Sequence, residues 1–296
     1  MQSPGARPYL VMLGGALSFS AMGALGKAAA ETCDWRVVAF ARAALMLAIA
    51  LALALFLKAP LMFWRPRALW VRSVFGTASL FTSFYALTHL PLADATTLIY
   101  MTSVWVTILS WPVLGERPPL RVWLAVAAAL CGVFLIAQPH FEGERLAAIL
   151  GAVSSLFTAI VMISLHRLGS VDPRTVVLHF AIVATAATAL LFVLTPAAVA
   201  SSSDLDLRTW LLLVGMGLVG TVGQYFMTRA FAAGNPPRVA LVGLTQLVFA
   251  AVIDRLVWQR SWNALTLAGM ALVAAPSAWL LLRQVSKKEA PEPVIE

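Results

Sequence analysis

Residues 209–231 read "TWLLLVGMGLVGTVGQYFMTRAF", a long apolar run that contains a literal G-x-G-x-x-G beginning at Gly215. In soluble enzymes this spacing holds the pyrophosphate of a dinucleotide, but it needs a strand, a tight turn and a helix N-terminus around it, and an acid about 20 positions further on. The run has no turn signal within it, and the chain around Asn235 reads "AAGNPPRVAL", which contains no acid. We therefore expect these glycines to let helices approach closely rather than to bind a nucleotide.

The composition is that of a chain whose main solvent is lipid. Of the 296 residues, 61% are hydrophobic and 11% are charged, and the mean hydropathy is +0.87, whereas a soluble domain is about 45–50% apolar and about 25% charged. The formal net charge of +8 is spread singly between apolar runs, so nucleic acid is not an expected partner. Cys33 lies near a predicted loop and Cys131 within an apolar run, so we expect no structural disulfide.

Ten apolar stretches of about 20 residues, the length that crosses some 30 Å of hydrocarbon, follow one another along the chain. Proline, glycine and polar residues separate them, as in "HLPLAD", "GERPPLR" and "GNPPR". The predicted spans are residues 9–27, 37–57, 69–88, 93–111, 122–137, 146–166, 175–194, 209–231, 239–257 and 264–282.

An even number of spans places both termini on one side of the membrane. The first apolar run could also be read as a cleaved signal peptide. That interpretation is the weaker one, because removal of this run would leave an odd number of spans that no longer match in pairs. When the joints are assigned alternately, the N-terminal side carries 13 Lys and Arg, Arg72 among them, and the other side carries 6; with Arg42 and Arg229 inside spans this accounts for all 21. The positive-inside rule then predicts that both termini are cytoplasmic.

The chain also carries an internal repeat. A shift of 144 residues aligns the third to fifth spans with the eighth to tenth without a gap and places Gly76 on Gly220. The earlier spans match at a shift of 138, through "DWR" at Asp34 and "DPR" at Asp172. The repeat therefore indicates two copies of one five-span unit.

Because each unit has an odd number of spans, the second must enter the membrane upside down relative to the first, as in the inverted repeats of secondary transporters. The predicted fold is an all-α integral membrane protein with ten transmembrane helices in two inverted five-helix repeats. The predicted units are residues 1–138 and 146–283, followed by a disordered cytoplasmic tail at 284–296.

Residues 84–119 read "FYALTHLPLADATTLIYMTSVWVTILSWPVLGERPP". The Tyr85-Ala86-Leu87 end of a span, Leu90-Pro91 at the joint and Gly115-Glu116-Arg117 at the close resemble the EamA-type repeat of the drug/metabolite transporter superfamily, and residues 230–262 resemble it more faintly. The resemblance implies a bacterial inner-membrane carrier of small organic solutes, with helices around a central cavity. That superfamily includes exporters of amino acids, among them aromatic ones.

Two positions depart from that pattern. Many members of the family have a proline midway along the fourth span, where this chain has Ser103, so a kink there needs another cause. In the second repeat Arg260 stands at the position that matches Glu116. The closing loops are therefore not expected to form a charge-symmetric pair.

Ionisable groups within spans are few, and because each costs several kcal/mol in hydrocarbon, each is a candidate for function. Arg42, His89 and Glu116 are candidates for gating or charge recognition, and His179 and Arg229 also fall within spans. The competing interpretation is that such side chains reach the headgroups by snorkelling. No Asp or Glu is predicted in mid-span, whereas small multidrug relatives in the superfamily rely on one, so proton-driven cation antiport is disfavoured.

A cavity for a neutral or zwitterionic solute needs hydroxyls, amides and aromatic faces. Helical spacing places such residues together on single faces of the predicted spans, and Tyr100 is the strongest single candidate. Ordinary helix contacts are the competing interpretation for all of them. The candidate substrate-binding residues are Ser18, Met22, Ser79, Ser83, Tyr85, Thr96, Tyr100, Ser103, Trp105, Thr107, Thr158, Met162, Gln224 and Thr228.

These features predict a secondary transporter that exports small organic metabolites, above all amino acids including aromatic ones, by alternating access through a central cavity. A multidrug carrier, or a carrier of nucleosides, sugars or polyamines, is the alternative. An intramembrane enzyme is disfavoured because H-E-x-x-H and G-x-S-x-G are absent and the four histidines lie on separate segments. We expect a small-molecule substrate and the lipid bilayer as partners, no catalytic residues, no cofactor and no metal site; a monomer is compatible with the sequence.

Overall fold

The computed structural model describes residues 5–58, 60, 62–140, 144–194, 205–259 and 261–289. Within these residues all regular structure is helical. The helices are α1 (Arg7–Ala30), α2 (Trp35–Phe56), α3 (Arg67–His89), α4 (Leu92–Tyr100), α5 (Thr102–Leu114), α6 (Leu120–Ala137), α7 (Arg145–Arg167), α8 (Pro173–Val193), α9 (Leu207–Ala233), α10 (Pro236–Gly243), α11 (Thr245–Trp258) and α12 (Ala264–Glu289).

Nine segments of the described chain are helical, long and apolar enough to cross a membrane. The remaining predicted span corresponds to α3, which has 23 residues and a more polar composition because it carries Arg67, Arg72 and several hydroxyls. The predicted all-α membrane fold is therefore confirmed. Helix α12 continues to Glu289, past the predicted start of a disordered tail at 284, and residues 290–296 lie outside the described part of the chain.

The fourth and ninth predicted spans are each divided into two helices. Helices α4 and α5 meet at Met101, and α10 and α11 meet at Leu244. The hydroxyl of Thr102 donates to the carbonyl of Ile99 at 2.7 Å, and that of Thr245 donates to the carbonyl of Val242 at 2.7 Å. Because threonine competes in this way for helix carbonyls, both breaks arise without a proline at the position of Ser103.

Equivalent N-caps mark the repeat at the level of single hydrogen bonds. The Asp34 carboxylate accepts from the backbone N–H of Arg36 at 2.8 Å at the start of α2, and Asp172 accepts from the N–H of Arg174 at 2.8 Å at the start of α8. A side-chain acceptor of this kind satisfies an N–H that has no partner within the helix. The "DWR" and "DPR" motifs therefore begin equivalent helices.

The main packing contacts between the two halves are symmetric under their exchange. Helix α1 packs along α9 as α7 packs along α3, and α2 packs on α9 as α8 packs on α3. Helix α1 also contacts both parts of the second broken helix, α10 and α11, as α7 contacts both parts of the first, α4 and α5, while α2 pairs with α8 and α6 with α12. The two units thus form one pseudo-symmetric bundle of inverted repeats.

Contacts at the helix ends place successive ends on alternate sides of this bundle. On the side where α1 begins, the Nδ2 of Asn235 donates to Oε2 of Glu116 at 2.6 Å. On the opposite side, Nζ of Lys27 lies 3.4 Å from Oδ1 of Asp254. Helix α12 follows α11, begins on the side of Lys27 and Asp254, and crosses back. Its end and the start of α1 therefore share a side, called here the N-terminal side.

The glycine run of residues 215–223 lies in the middle of α9, within the interface with α1 and α2. A Cβ atom on Gly217 would lie 2.6 Å from Cβ of Leu45, and one on Gly220 would lie 2.7 Å from Sδ of Met22. Both distances are shorter than a van der Waals contact; the Leu45 Cβ atom cannot rotate away from Gly217, whereas the flexible Met22 side chain would have to move at Gly220. The predicted packing role of these glycines is confirmed.

Candidate functional site

Two arginines of the first repeat meet the second repeat inside the membrane-spanning bundle. Arg72 on α3 is 1% exposed, and its guanidinium carbon lies 3.7 Å from the ring centroid of Phe180 on α8. Its Nε and Nη1 atoms are buried and have no hydrogen-bond partner among the residues that the structure describes. The first turns of α3, which carry Arg72, therefore pack against α8.

Arg42 on α2 faces the same region from the other direction. A Cβ atom on Gly220 would lie 3.9 Å from its Nε, and its charge is close enough to interact with that of Arg72. Helix α2 begins on the side opposite the N-terminal side, and Arg42 lies roughly 10 Å along it at about 1.5 Å per helical residue. Helix α3 begins on the N-terminal side, and Arg72 lies roughly 8 Å along it. The two side chains thus approach the middle of the bundle from opposite faces.

The two contacts are related by the internal repeat. The shift of 138 places Arg42 on Phe180, and the shift of 144 places Gly76 on Gly220. Phe180 lies against Gly76, where a Cβ atom would be 2.9 Å from its ring, just as Arg42 lies against Gly220. The two equivalent positions therefore differ in chemistry: Arg42 provides a cation in the first repeat, and Phe180 provides an aromatic ring in the second.

No carboxylate is paired with either arginine among the residues that the structure describes. The two ion pairs found there join Lys27 to Asp254 and Arg36 to Asp34, both at helix ends. The other described acids with side-chain partners are also at helix ends, where Asp94 accepts from the N–H of His140 and Glu116 from Asn235. The site therefore carries two positive charges that no carboxylate in the described part of the chain neutralises.

Ser79 and Thr158 connect α3 to α7. The Ser79 hydroxyl lies 2.6 Å from that of Thr158 and donates to the carbonyl of Ser154 at 3.1 Å. This supports the helix-contact interpretation of both residues.

The remaining predicted serines and threonines bond locally, within their own helix or, for Ser103, across the break between α4 and α5. Each donates to a carbonyl three or four residues earlier, which leaves its oxygen lone pairs able to accept a further bond. They are Ser18, Ser83, Thr96, Ser103, Thr107 and Thr228.

Tyr100 is the last residue of α4, directly before the break at Met101. Together with Trp105, Met22 and Met162 it is partly buried against the main hydrophobic cluster. Gln224 is 4% exposed and lies one turn beyond Gly220 on α9. Only Gln224 and Met22 of these residues lie beside the glycine that faces Arg42.

Three predicted residues lie at the ends of the bundle instead. Tyr85 and His89 stack with ring centroids 3.9 Å apart, and the Tyr85 hydroxyl is 3.4 Å from a carboxylate oxygen of Glu144 on the opposite side. Glu116 binds Asn235 on the N-terminal side. The structure thus separates Tyr85, His89 and Glu116 from the two arginines.

His179 is 1% exposed but fully engaged. Its Nδ1 lies 2.7 Å from the Ser73 hydroxyl, and its Nε2 lies 3.1 Å from the Phe63 carbonyl. These bonds fix the α2–α3 connection against α8. The residues that sequence reasoning missed are Arg72 and Phe180, although Arg72 falls inside the predicted third span and Phe180 is the repeat equivalent of Arg42.

The fold and the site together define a membrane transporter for small molecules, built from two inverted repeats around a polar centre. The EamA-like transporter family matches residues 6–138 and 145–282. The chain belongs to that family, and the prediction that it is not an enzyme is confirmed.

Named relatives are also transporters. The pseudopaline exporter CntI of Pseudomonas aeruginosa is 32% identical over 263 residues, which cover 86% of this chain and 89% of the relative. The probable transport protein YPL264C of Saccharomyces cerevisiae is 26% identical and the match covers 74% of this chain and 68% of the relative. A solved crystal structure at 16% identity superposes with a TM-score of 0.80 and covers 97% of this chain, which supports the fold.

Proposed function

We propose that the protein exports small organic metabolites of the amino-acid type by alternating access. The observation that carries this proposal is the exchange symmetry of the main packing contacts: α1 on α9, α2 on α9 and α1 on the second broken helix each have their counterpart in α7 on α3, α8 on α3 and α7 on the first broken helix. In inverted-repeat transporters, exchanging the conformations of the two repeats moves a central site from one face to the other. The export direction is supported by the named activity of the Pseudomonas aeruginosa relative.

The broken helices provide a means for this exchange. Helices α4 and α10 begin on opposite sides of the membrane, and each meets its second part at an equivalent break. Rocking of one repeat against the other would open the Asn235–Glu116 contact on one side while the Lys27–Asp254 contact holds on the other. A polyamine is a poor substrate for this centre, because two unpaired arginines repel a cation.

Flux measurements with matched aromatic variants test this function. In proteoliposomes we expect export of labelled amino acids, and Tyr100→Ala should lower the flux roughly tenfold, the equivalent of about 1.4 kcal/mol, because Tyr100 adjoins the break. Trp210→Ala is the control, because Trp210 is 52% exposed near the start of α9. Equal losses in both variants would remove Tyr100 from the substrate path.

Thiol labelling tests the proposed orientation, with both termini in the cytoplasm of a bacterial inner membrane. In a Cys131→Ala background, an impermeant maleimide should label Cys33, on the opposite side, in intact cells, and should not label Ser170→Cys on the N-terminal side. Burial and the neighbouring Asp34 carboxylate raise the pKa of the Cys33 thiol. Labelling of Cys33 should therefore rise more steeply between pH 7 and pH 9 than that of Ser261→Cys, an exposed position on the same side. Labelling of Ser170→Cys in intact cells would reverse the orientation.

A further inference from the structure

The most unusual feature of the bundle is a buried guanidinium that no described residue neutralises. Arg72 is 1% exposed, so water and lipid headgroups do not reach it, and its Nε and Nη1 donate to no acceptor. An unpaired buried charge is strongly destabilising, and an arginine in a membrane span is by default functional. A second guanidinium, that of Arg42, faces the same region from α2, where a Cβ atom on Gly220 would lie 3.9 Å from its Nε.

The edge of the Arg72 guanidinium carries N–H donors, on Nε and Nη1, from which no described residue accepts a hydrogen bond. Phe180 covers one face of the guanidinium plane at 3.7 Å, a cation–π contact that uses the ring face and none of the N–H groups. The N–H donors of arginine radiate from the edge of that plane in a fork that fits two oxygens of an anion. Gly76 keeps this edge uncrowded, since a Cβ atom there would lie 3.0 Å from Nη1.

We propose that Arg42 and Arg72 bind an anionic oxygen group of the substrate, so that the protein transports net-anionic organic solutes in preference to zwitterionic, neutral or cationic ones. This rests on the transport function proposed above and changes its substrate class: acidic amino acids and other net-anionic metabolites are favoured over the zwitterionic amino acids. Carboxylates and phosphate esters share the required chemistry. A solute with two such groups would neutralise both arginines.

The placement of the contacts explains how such a site would take part in transport. Both arginines belong to the first repeat, whereas their partners Gly220 and Phe180 belong to the second. Motion between the repeats therefore changes, at the same time, which groups pack against the Arg42 guanidinium and which pack against the Arg72 guanidinium. Since they approach the middle from opposite faces, a bound anion would be held while access changes sides.

Binding to the purified protein tests this proposal without requiring transport. Thermal stabilisation should be greater with glutamate than with glutamine, or greater with glucose 6-phosphate than with glucose, and the pair that responds identifies the oxyanion. Arg72→Gln and Arg42→Gln should each weaken anion binding at least tenfold, and Arg72→Lys should restore part of it. Arg229→Gln is the matched control, because Arg229 lies within α9 but interacts with the Tyr225 ring, and it should retain binding.

The unliganded stability separates this role from a structural one. Removing an uncompensated buried charge should leave the melting temperature of Arg72→Gln unchanged or higher, whereas a structural cation–π clamp predicts a lower one. Equal stabilisation by charged and neutral members of both pairs, or anion discrimination that survives Arg42→Gln and Arg72→Gln, would overturn the proposal. Vesicles that move neutral and anionic solutes equally would contradict the anion site alone, and anion binding without any flux would contradict only the transport function.

Discussion

Gly132→Val is expected to destabilise the protein by about 3 kcal/mol or more, the upper range for overpacking a close contact. Helices α6 and α12 cross at Gly132 and Gly269, and a Cβ atom on either would lie 2.6 Å from the carbonyl oxygen of the other. The obstructing atom is backbone, so no side chain can rotate away. Thermal unfolding in detergent should show a decrease of roughly 6–12 °C in the melting temperature.

Cys131→Val is the control for this substitution. Cys131 precedes Gly132 on the same helix but is exposed on the surface of the bundle, so a valine at this neighbouring position should change the free energy of unfolding by less than about 0.5 kcal/mol. Gly269→Val should reproduce the loss, because it blocks the same crossing from α12. An unchanged melting temperature in both glycine variants would show that α6 and α12 do not cross here.

The sequence predicted the fold well because lipid imposes a simple rule on a spanning segment. Backbone hydrogen bonds must be satisfied within each helix, so apolar runs of about 20 residues mark the helices. An odd number of helices in each repeat then requires that the second repeat be inverted relative to the first. The breaks at Met101 and Leu244 could not be foreseen in the same way, because threonine is common in membrane helices and only the tertiary contacts select which one bends its helix. The end of α12 was missed because "LLRQVSKKE" loses apolar character while still favouring a helix.

The candidate site was harder to predict because helical spacing selects a face without saying what that face meets. Ser79 and Thr158 were each predicted to bind substrate, but their short hydrogen bond joins α3 to α7. Arg72 lies five residues into α3, where a long side chain could equally reach the headgroups. Its contact with Phe180 depends on how α3 packs on α8, which the sequence does not specify. The one indication in the sequence is the internal repeat, which aligns Phe180 with Arg42.

Glu116→Ala is expected to shift the protein roughly 10- to 100-fold toward the form that is open on the N-terminal side. The Asn235–Glu116 hydrogen bond, at 2.6 Å, joins the end of α5 in the first repeat to the α9–α10 joint in the second. A hydrogen bond to a charged group contributes about 1.5–3 kcal/mol, and its loss removes closure energy from that side alone. Electron–electron distance measurements between spin labels on Arg121→Cys and Ser170→Cys, in a background without Cys33 and Cys131, would report the opening as a longer distance.

Two comparisons establish whether this contact acts as a closure. Asn235→Ala should give the same shift, and the double variant should add little to either single change, because both remove one interaction. Lys27→Met should act in the opposite direction and more weakly, since the Lys27–Asp254 pair is 3.4 Å long and partly exposed and such pairs contribute at most about 1 kcal/mol. If Glu116→Ala and Lys27→Met change the distance between the spin labels in the same direction, the two contacts do not close opposite sides of the transporter. Other contacts would then control the rocking of one repeat against the other.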